Sequence, residues 1–344
     1  MRIAIVNDLA MATEAMRRIL AADGEHILVW TARDGAEAVE KCARDTPDLI
    51  LMDLVMPVMG GVEATRRIMS ASPCAILVVT ATMQGNLTQV YEALGAGALD
   101  AVQTPAGAAG AAMLRVKLDG LAKRLGGGMR PPMGAAADPG AAATRAPFAS
   151  GGNGSAGAQA LVGIGASAGG PAALAELLGA LPAGFPAAVV VVQHIDAAFS
   201  RGLVDWLGQA SRLPVRAVTR GERPPPGEVR VAAGDRHLVI DAAGRLELSD
   251  EPRDVIYMPS IDVFFASMAR NWRKRGVGVL LTGMGRDGAA GLLAVRRAGH
   301  ATYAQDRASS AVYGMPKAAF EIGAAGEVLG LGDMAAKLRR DFAV

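Results

Sequence analysis

Two doubly wound α/β domains joined by a tether are what the sequence predicts, and three observations predict it. Short apolar runs alternate with helical stretches in both halves, the pattern of parallel sheets with helices on both faces. From about residue 125 to 159 that alternation stops, and Gly, Pro, Ala and Ser take over. At 344 residues the chain also exceeds one ordinary domain. Aromatics are 4% of the chain against 51% apolar residues, so the cores must be built from Ala, Val, Leu, Ile and Met.

In residues 1–124 the apolar runs place strands at Arg2–Val6, Ile27–Ala32, Leu49–Met52, Ala75–Thr80 and Ala101–Gln103. Helical stretches such as "MATEAMRRILAA" and "GAEAVEKCARD" lie between them, the second opened by Asp34 as an N-cap. Five such strands suit a flavodoxin-like sheet, whose ligands sit beyond the carboxyl ends of the strands at the topological switch point. The polar residues at those ends are Asn7, Asp8, Asp53, Thr80 and Thr104. Asp53 is a carboxylate placed to attack a phosphoryl donor, and Asp8 can hold the divalent metal that neutralises the charge. Thr80 can hydrogen-bond the new phosphoryl group. The plain alternative is that all five are only polar strand ends.

The segments "IVND", "LILMDLVMPVMGGVEATRRI", "VVTAT" and "GALDAVQTP" resemble the receiver domain of two-component response regulators over the whole first block. Pro57 and Gly60-Gly61 shape the loop after the acceptor strand. The resemblance implies phosphorylation of Asp53 by a histidine kinase, with Mg²⁺ held by Asp8 and Asp53 and with Thr80 and Thr104 at the switch positions. Two positions depart from the receiver pattern. Asn7 stands where receivers usually have a second carboxylate; it can accept a hydrogen bond from metal-bound water but adds no charge. Thr104, before Pro105, stands where receivers have a lysine, and it cannot supply that cation.

Residues 125–159, which after Leu125 read "GGGMRPPMGAAADPGAAATRAPFASGGNGSAGAQ", keep no apolar periodicity and are expected to act as a tether without a binding role.

The second domain, residues 160–344, opens on "LVGIGASAGGP", which fits two descriptions. As Gly163-x-Gly165-x-x-Ala168 it is the turn that lays a dinucleotide pyrophosphate on a helix N-terminus. As Gly165-x-Ser167-x-Gly169 it is a nucleophile elbow. The strand "AAVVVVQH" ends in His194, and "GVGVLLTGMGRDG" leads to Asp287. Three parallel strands would thus bring a hydroxyl, a base and an orienting carboxylate to one sheet edge, as acyl transfer needs. The chain order Ser, His, Asp differs from the Ser, Asp, His of α/β-hydrolases. The dinucleotide description expects an acid at the end of the second strand, where Gln193 and His194 stand instead. Each of the three residues alone also fits a turn or a strand cap.

The segments "VGIGASAGGP", "VVVQHI", "AAGDRHL", "PSIDVFFASMA", "LLTGMGRDGAAGL" and "AQDRASSAVYGMPKAA" resemble the catalytic domain of the chemotaxis protein-glutamate methylesterases. The resemblance implies Ser167 as nucleophile, His194 as general base and Asp287 as orienting acid, with no cofactor for catalysis. Backbone amides near Ala168 and Met284 are the expected oxyanion donors. That family commonly has Thr at Ala168 and Arg at Met258. Ser260 is expected to cap a helix, with Asp262 in its first turn suiting the dipole. His237 and His300 are expected to be structural, and "HLVIDAAGRLEL" to be an exposed antiparallel addition to the sheet. The missing receiver lysine and the "IVND" opening resemble the methylesterases of Wsp-type chemosensory systems, which implies receptors feeding a cyclic-dinucleotide output.

A net charge of +2 leaves no basic footprint for nucleic acid, and no basic recognition helix is evident. Cys42 and Cys74 lie in separate apolar segments and are expected to be reduced core residues rather than a disulfide or metal pair. "MRIAIVND" does not resemble a signal peptide, and the apolar run Phe185–Val192 is too short to span a bilayer. The expectation is a cytoplasmic, phosphorylation-regulated hydrolase of glutamate methyl esters on methyl-accepting receptors, partnered by those receptors and a histidine kinase. A non-catalytic, phospho-regulated nucleotide-binding protein is the alternative.

Overall fold

Continuous apolar runs become interior strands because helices cover both faces of a parallel sheet and leave no wet side. The computed structural model describes residues 1–80, 87–125, 160–255 and 257–344. Its first half runs β1 (Arg2–Val6), α1 (Ala10–Asp23), β2 (Ile27–Ala32), α2 (Gly35–Arg44), β3 (Leu49–Met52), α3 (Gly61–Ala71), β4 (Ala75–Thr80), α4 (Leu87–Gly95), β5 (Asp100–Gln103) and α5 (Gly107–Leu125). The strands pair in parallel in the order β2-β1-β3-β4-β5. Every residue of β3 and β4 is buried. The strands lie where the apolar runs predict them, with β5 opening at Asp100 rather than Ala101. Asp34 caps α2 by accepting from the Ala36 and Glu37 N–H groups at 2.8 and 2.9 Å. The expected tether, from 126 to 159, lies outside the described residues.

The second half runs β6 (Ala160–Ala166), α6 (Gly170–Gly179), β7 (Ala187–Gln193), α7 (Ala197–Ala210), β8 (Val215–Ala217), β9 (Val229–Val231), β10 (His237–Ile240), β11 (Leu246–Ser249), α8 (Ile261–Asn271), β12 (Gly276–Leu280), α9 (Ala289–Arg297), β13 (Ala301–Gln305), α10 (Met315–Glu321), β14 (Glu327–Leu329) and α11 (Leu331–Asp341). Seven strands form one parallel sheet in the order β14-β13-β12-β6-β7-β9-β8. The hairpin β10–β11 departs from expectation: it is a separate two-stranded sheet, and its strands are buried or half-buried, with only the turn exposed. Leu238, Ile240 and Leu246 are buried in the cluster that holds α8, so its apolar face is covered by a helix instead of joining the main sheet.

The two cysteines, far apart in sequence, are neighbours in space. Both are buried and free, and their Sγ atoms lie 4.0 Å apart. They are core residues, but not isolated ones.

The two halves pack through α4, which lies against α6 and α7. One apolar cluster runs from Tyr91 and Leu94 into Phe199, Leu203 and Leu207. The Tyr91 ring stacks on Trp206 with centroids 5.7 Å apart, and its hydroxyl donates to the Phe199 carbonyl. Such a stacked pair adds about 0.5–1.5 kcal/mol beyond its buried area. Gly202 makes the approach possible, since a Cβ there would come within 2.7 Å of the Tyr91 ring.

Candidate functional site

In the larger sheet the chain order reverses between β6 and β12, which opens a crevice at their carboxyl ends. Ser167 follows β6, His194 follows β7, and Asp287 lies in the turn after β12. Register pairing of Ala166 with Gln193 sets Ser167 beside His194. The elbow backbone is tied on both sides. The Ser167 N–H donates to Thr282 O at 3.0 Å, and Ser167 O accepts from Gly170 N–H at 2.7 Å and Gln193 Nε2 at 2.8 Å.

The glycines before Ser167 answer to packing rather than to a cofactor. A Cβ at Gly165 would lie 2.3 Å from Ile261 Cγ2, and one at Gly163 would lie 2.9 Å from Phe264 Cε1. These positions are small because α8 presses against β6. Protein fills the space that a dinucleotide turn would keep for its ligand.

His194 and Asp287 are nearly buried, with side chains 8% and 10% exposed, and His194 Nε2 bonds Asp287 Oδ2 at 2.7 Å. The same carboxylate accepts from Ile261 N–H at 2.7 Å, the Ser260 hydroxyl at 2.8 Å and Asp262 N–H at 3.2 Å. Burial alone would raise the Asp287 carboxyl. The His194 hydrogen bond and charge, with the Ile261 and Ser260 donors, outweigh burial and hold it below its ordinary value. With Nε2 engaged, His194 Nδ1 is left buried and without a hydrogen-bond partner. The structure therefore joins His194 to Asp287 and brings Ser167 alongside, with no bond from Ser167 to that nitrogen. Tyr257 stacks on the imidazole, with centroids 4.3 Å apart and planes 9° from parallel.

Around these three residues lie supports whose contacts the sequence did not foretell. Thr282 donates through Oγ1 to Ala168 O at 2.9 Å and accepts from Val312 N–H at 2.8 Å. Gln305 Oε1 accepts the Thr282 N–H at 2.7 Å. Gln193, Thr282 and Gln305 are each a polar residue closing or following an apolar strand, which is the local signal that could have marked them. Ser260 caps α8 through Val263 N–H at 3.3 Å while also donating to Asp287. His237 is buried, and its Nδ1 accepts the Ser260 N–H at 3.0 Å while Nε2 donates to Pro252 O at 3.0 Å. His300 sits before β13 with Nε2 against Trp272 O at 3.2 Å, and burial lowers its pKa. The Ala168 and Met284 N–H groups donate to no described residue.

In the smaller sheet the order reverses between β1 and β3, and Asp8 and Asp53 follow those strands. Asp53 Oδ1 accepts the Leu54 N–H at 2.7 Å, and Oδ2 accepts from Asn7 Nδ2 at 3.0 Å. Asn7 Oδ1 accepts the Leu9 N–H at 2.8 Å. Asn7 is thus already engaged with both ends of its amide, and it orients Asp53 rather than waiting as a free acceptor. Burial pushes the Asp53 carboxyl up, and the charge of Asp8 adds to the push. Thr80 is buried, and its carbonyl accepts the Thr104 N–H at 2.9 Å. No Lys or Arg pairs with Asp8 or Asp53 among the described residues. Two facing carboxylates without a counter-cation are the donor chemistry that a hard divalent ion fits.

The two crevices define a class of protein: a response regulator whose output domain is a hydrolase built on a parallel sheet. Comparison with known proteins narrows it. The response regulator receiver domain family matches residues 3–110, and the CheB methylesterase family matches residues 162–338. A protein-glutamate methylesterase/protein-glutamine glutaminase of Cupriavidus metallidurans is 54% identical, covering 98% of this chain and 97% of that one. One of Pseudomonas aeruginosa is 51% identical, covering 99% and 100%. The crystal structure of the Thermotoga maritima CheB methylesterase catalytic domain superposes with a TM-score of 0.50 at 36% identity, covering 52% of this chain and 96% of that one. The chain belongs to the CheB methylesterase family, with a receiver domain preceding the methylesterase domain. The nucleotide-binding alternative has no support among these relatives.

Proposed function

We propose that the protein hydrolyses γ-glutamyl methyl esters on the cytoplasmic helices of methyl-accepting receptors and releases methanol. Deamidation of receptor glutamines would use the same centre. The observation that carries this is the buried, unpartnered Nδ1 of His194, held beside Ser167 by an Asp287 hydrogen bond on the opposite ring nitrogen. A base with one nitrogen fixed and the other vacant is poised to take a proton. Ser167 Oγ attacks the ester carbonyl while Nδ1 accepts its proton, and the imidazolium then protonates the departing methoxide. Water attacks the acyl-enzyme with the same base, freeing the glutamate side chain. The Ala168 and Met284 N–H groups, unspent elsewhere, are the donors for the oxyanion.

Regulation rests on the receiver. Leu99, between α4 and β5, accepts the Gly169 N–H through its carbonyl at 2.7 Å, two residues beyond Ser167. Met284 packs against the receiver's apolar cluster, as Leu99 does. In this arrangement the unphosphorylated receiver covers the hydrolase centre and excludes receptor helices. A histidine kinase would phosphorylate Asp53, with Mg²⁺ held by Asp8 and Asp53 to offset the phosphoryl charge. Phosphorylation would favour the undocked state.

Methanol release from a methylated receptor fragment tests the reading. The wild-type protein should release it, and Ser167→Ala should not. Undiminished release by that variant would refute the nucleophile.

A further inference from the structure

The α8 and α9 N-termini meet at the catalytic acid in a reciprocal arrangement. Asp287, just before α9, spends its carboxylate on the first turn of α8 through the Ile261 and Asp262 N–H groups. Asp262, in that first turn, returns its own carboxylate to α9, accepting the Gly291 N–H through Oδ1 at 2.6 Å. Each helix thus has its exposed amides capped by the other's acid, where the positive end of the helix dipole favours an anion. Gly291 allows the crossing, because a Cβ there would lie 2.7 Å from Phe265 Cβ and 2.8 Å from Asp262 O.

We propose that Asp262 is a positioning residue for the hydrolytic reaction: it fixes the turn on which Asp287 rides and keeps the Asp287 carboxylate directed at His194. The proposal rests on the esterase reading of the site. Two anions in one half-buried place are not what stability alone would select. Burial, and then the Asp287 charge, push the Asp262 carboxyl up to about 6, against the pull of the Gly291 N–H. While Asp262 is ionised it offers Asp287 no donor, and all the hydrogen bonds of Asp287 come from His194, Ser260 and the α8 backbone. A neutral donor at position 262 would compete with His194 for that carboxylate.

Asp262→Asn supplies such a donor at nearly constant shape, in the full-length protein. The expected result is a fall in kcat of about ten- to a hundredfold, the scale for a displaced supporting group. KM should stay within about twofold, because binding that is equal in ground and transition states is untouched. The thermal midpoint near neutral pH should be unchanged or higher, since a buried charge is gone. In ¹⁵N-histidine-labelled protein, the downfield His194 Nε2–H resonance should move upfield. Wild-type kcat with an unmoved resonance would overturn the proposal. So would a variant that fails to fold, because loss of one of two facing charges should not destabilise the fold. If wild-type protein releases no methanol, the esterase reading fails, while the resonance still decides whether Asp262 positions Asp287.

Discussion

The two crevices are built at equivalent places, each where the strand order reverses, and they differ in how their acids are held. In the hydrolase domain Asp287 accepts four hydrogen bonds, its donor Ser260 is itself tied by His237, and the α9 turn that carries Asp287 is tied by Asp262. In the receiver, Asp53 is held by the Leu54 amide and by Asn7, and its second acid, Asp8, is exposed. The hydrolase carboxyl is pulled below its ordinary value, whereas the receiver carboxyl is pushed above it. The difference teaches that one site is prearranged by neutral and charged donors on the protein. The other keeps two acids with no Lys or Arg paired to them among the described residues. Asn7 and Thr104 sharpen the contrast, since each stands where the receiver pattern carries a charge.

The largest effects should come from the prearranged site. His194→Ala should lower methanol release by about 10⁴ or more, while Asp287→Asn should leave measurable activity. Near-normal release after His194→Ala would remove the base from the scheme and with it the contrast between the sites.

Next comes the receiver. An acyl phosphate with Mg²⁺ should label wild-type protein, and Asp53→Asn should carry no label. Asn7→Asp should tighten Mg²⁺ binding by about tenfold, because it adds a third acid where the present site has two. Binding that is unchanged or weaker in Asn7→Asp would mean that the missing charge is not what limits this site.

A smaller change is expected at the contact between the domains. Gly202→Ala places a methyl group against Tyr91 and should loosen docking, raising basal methanol release several-fold, within the few kcal/mol typical of such equilibria. Removal of residues 1 to about 150 should raise it at least as much. A truncated protein no faster than the unphosphorylated full-length chain would replace inhibition with activation by contact.

The smallest effect concerns stability and pH. The Asp262 carboxyl titrates near 6 in the folded chain, against about 4 when unfolded. A raised carboxyl favours folding below the unfolded value, and that contribution is lost as pH rises through the folded one. The thermal midpoint of Asp262→Asn should therefore gain on wild type as pH rises from about 4 to about 6, then level off. A difference that stays flat across this window would mean that Asp262 is not held at a raised value.

By itself the sequence determined the strands, the elbow and the acids at the strand ends. Those features follow from local pattern: a buried parallel strand must read as an unbroken apolar run, and the polar residue that ends it must lie at the carboxyl edge. The place of Ser167, His194, Asp287 and Asp53 beyond the strand ends was legible for that reason, as were the caps Asp34 and Ser260. Only the tertiary structure decided which nitrogen of His194 faces Asp287, that Cys42 meets Cys74, and that β10–β11 folds under α8 instead of extending the sheet. The same holds for the exchange between Asp262 and Asp287 and for the seating of Tyr91 on Trp206. Each of these depends on side-chain direction where two elements cross, and on partners far apart in the chain. Periodicity reports which face of an element is buried, but the crossing of α8 over β6 and α9 settles what that face meets.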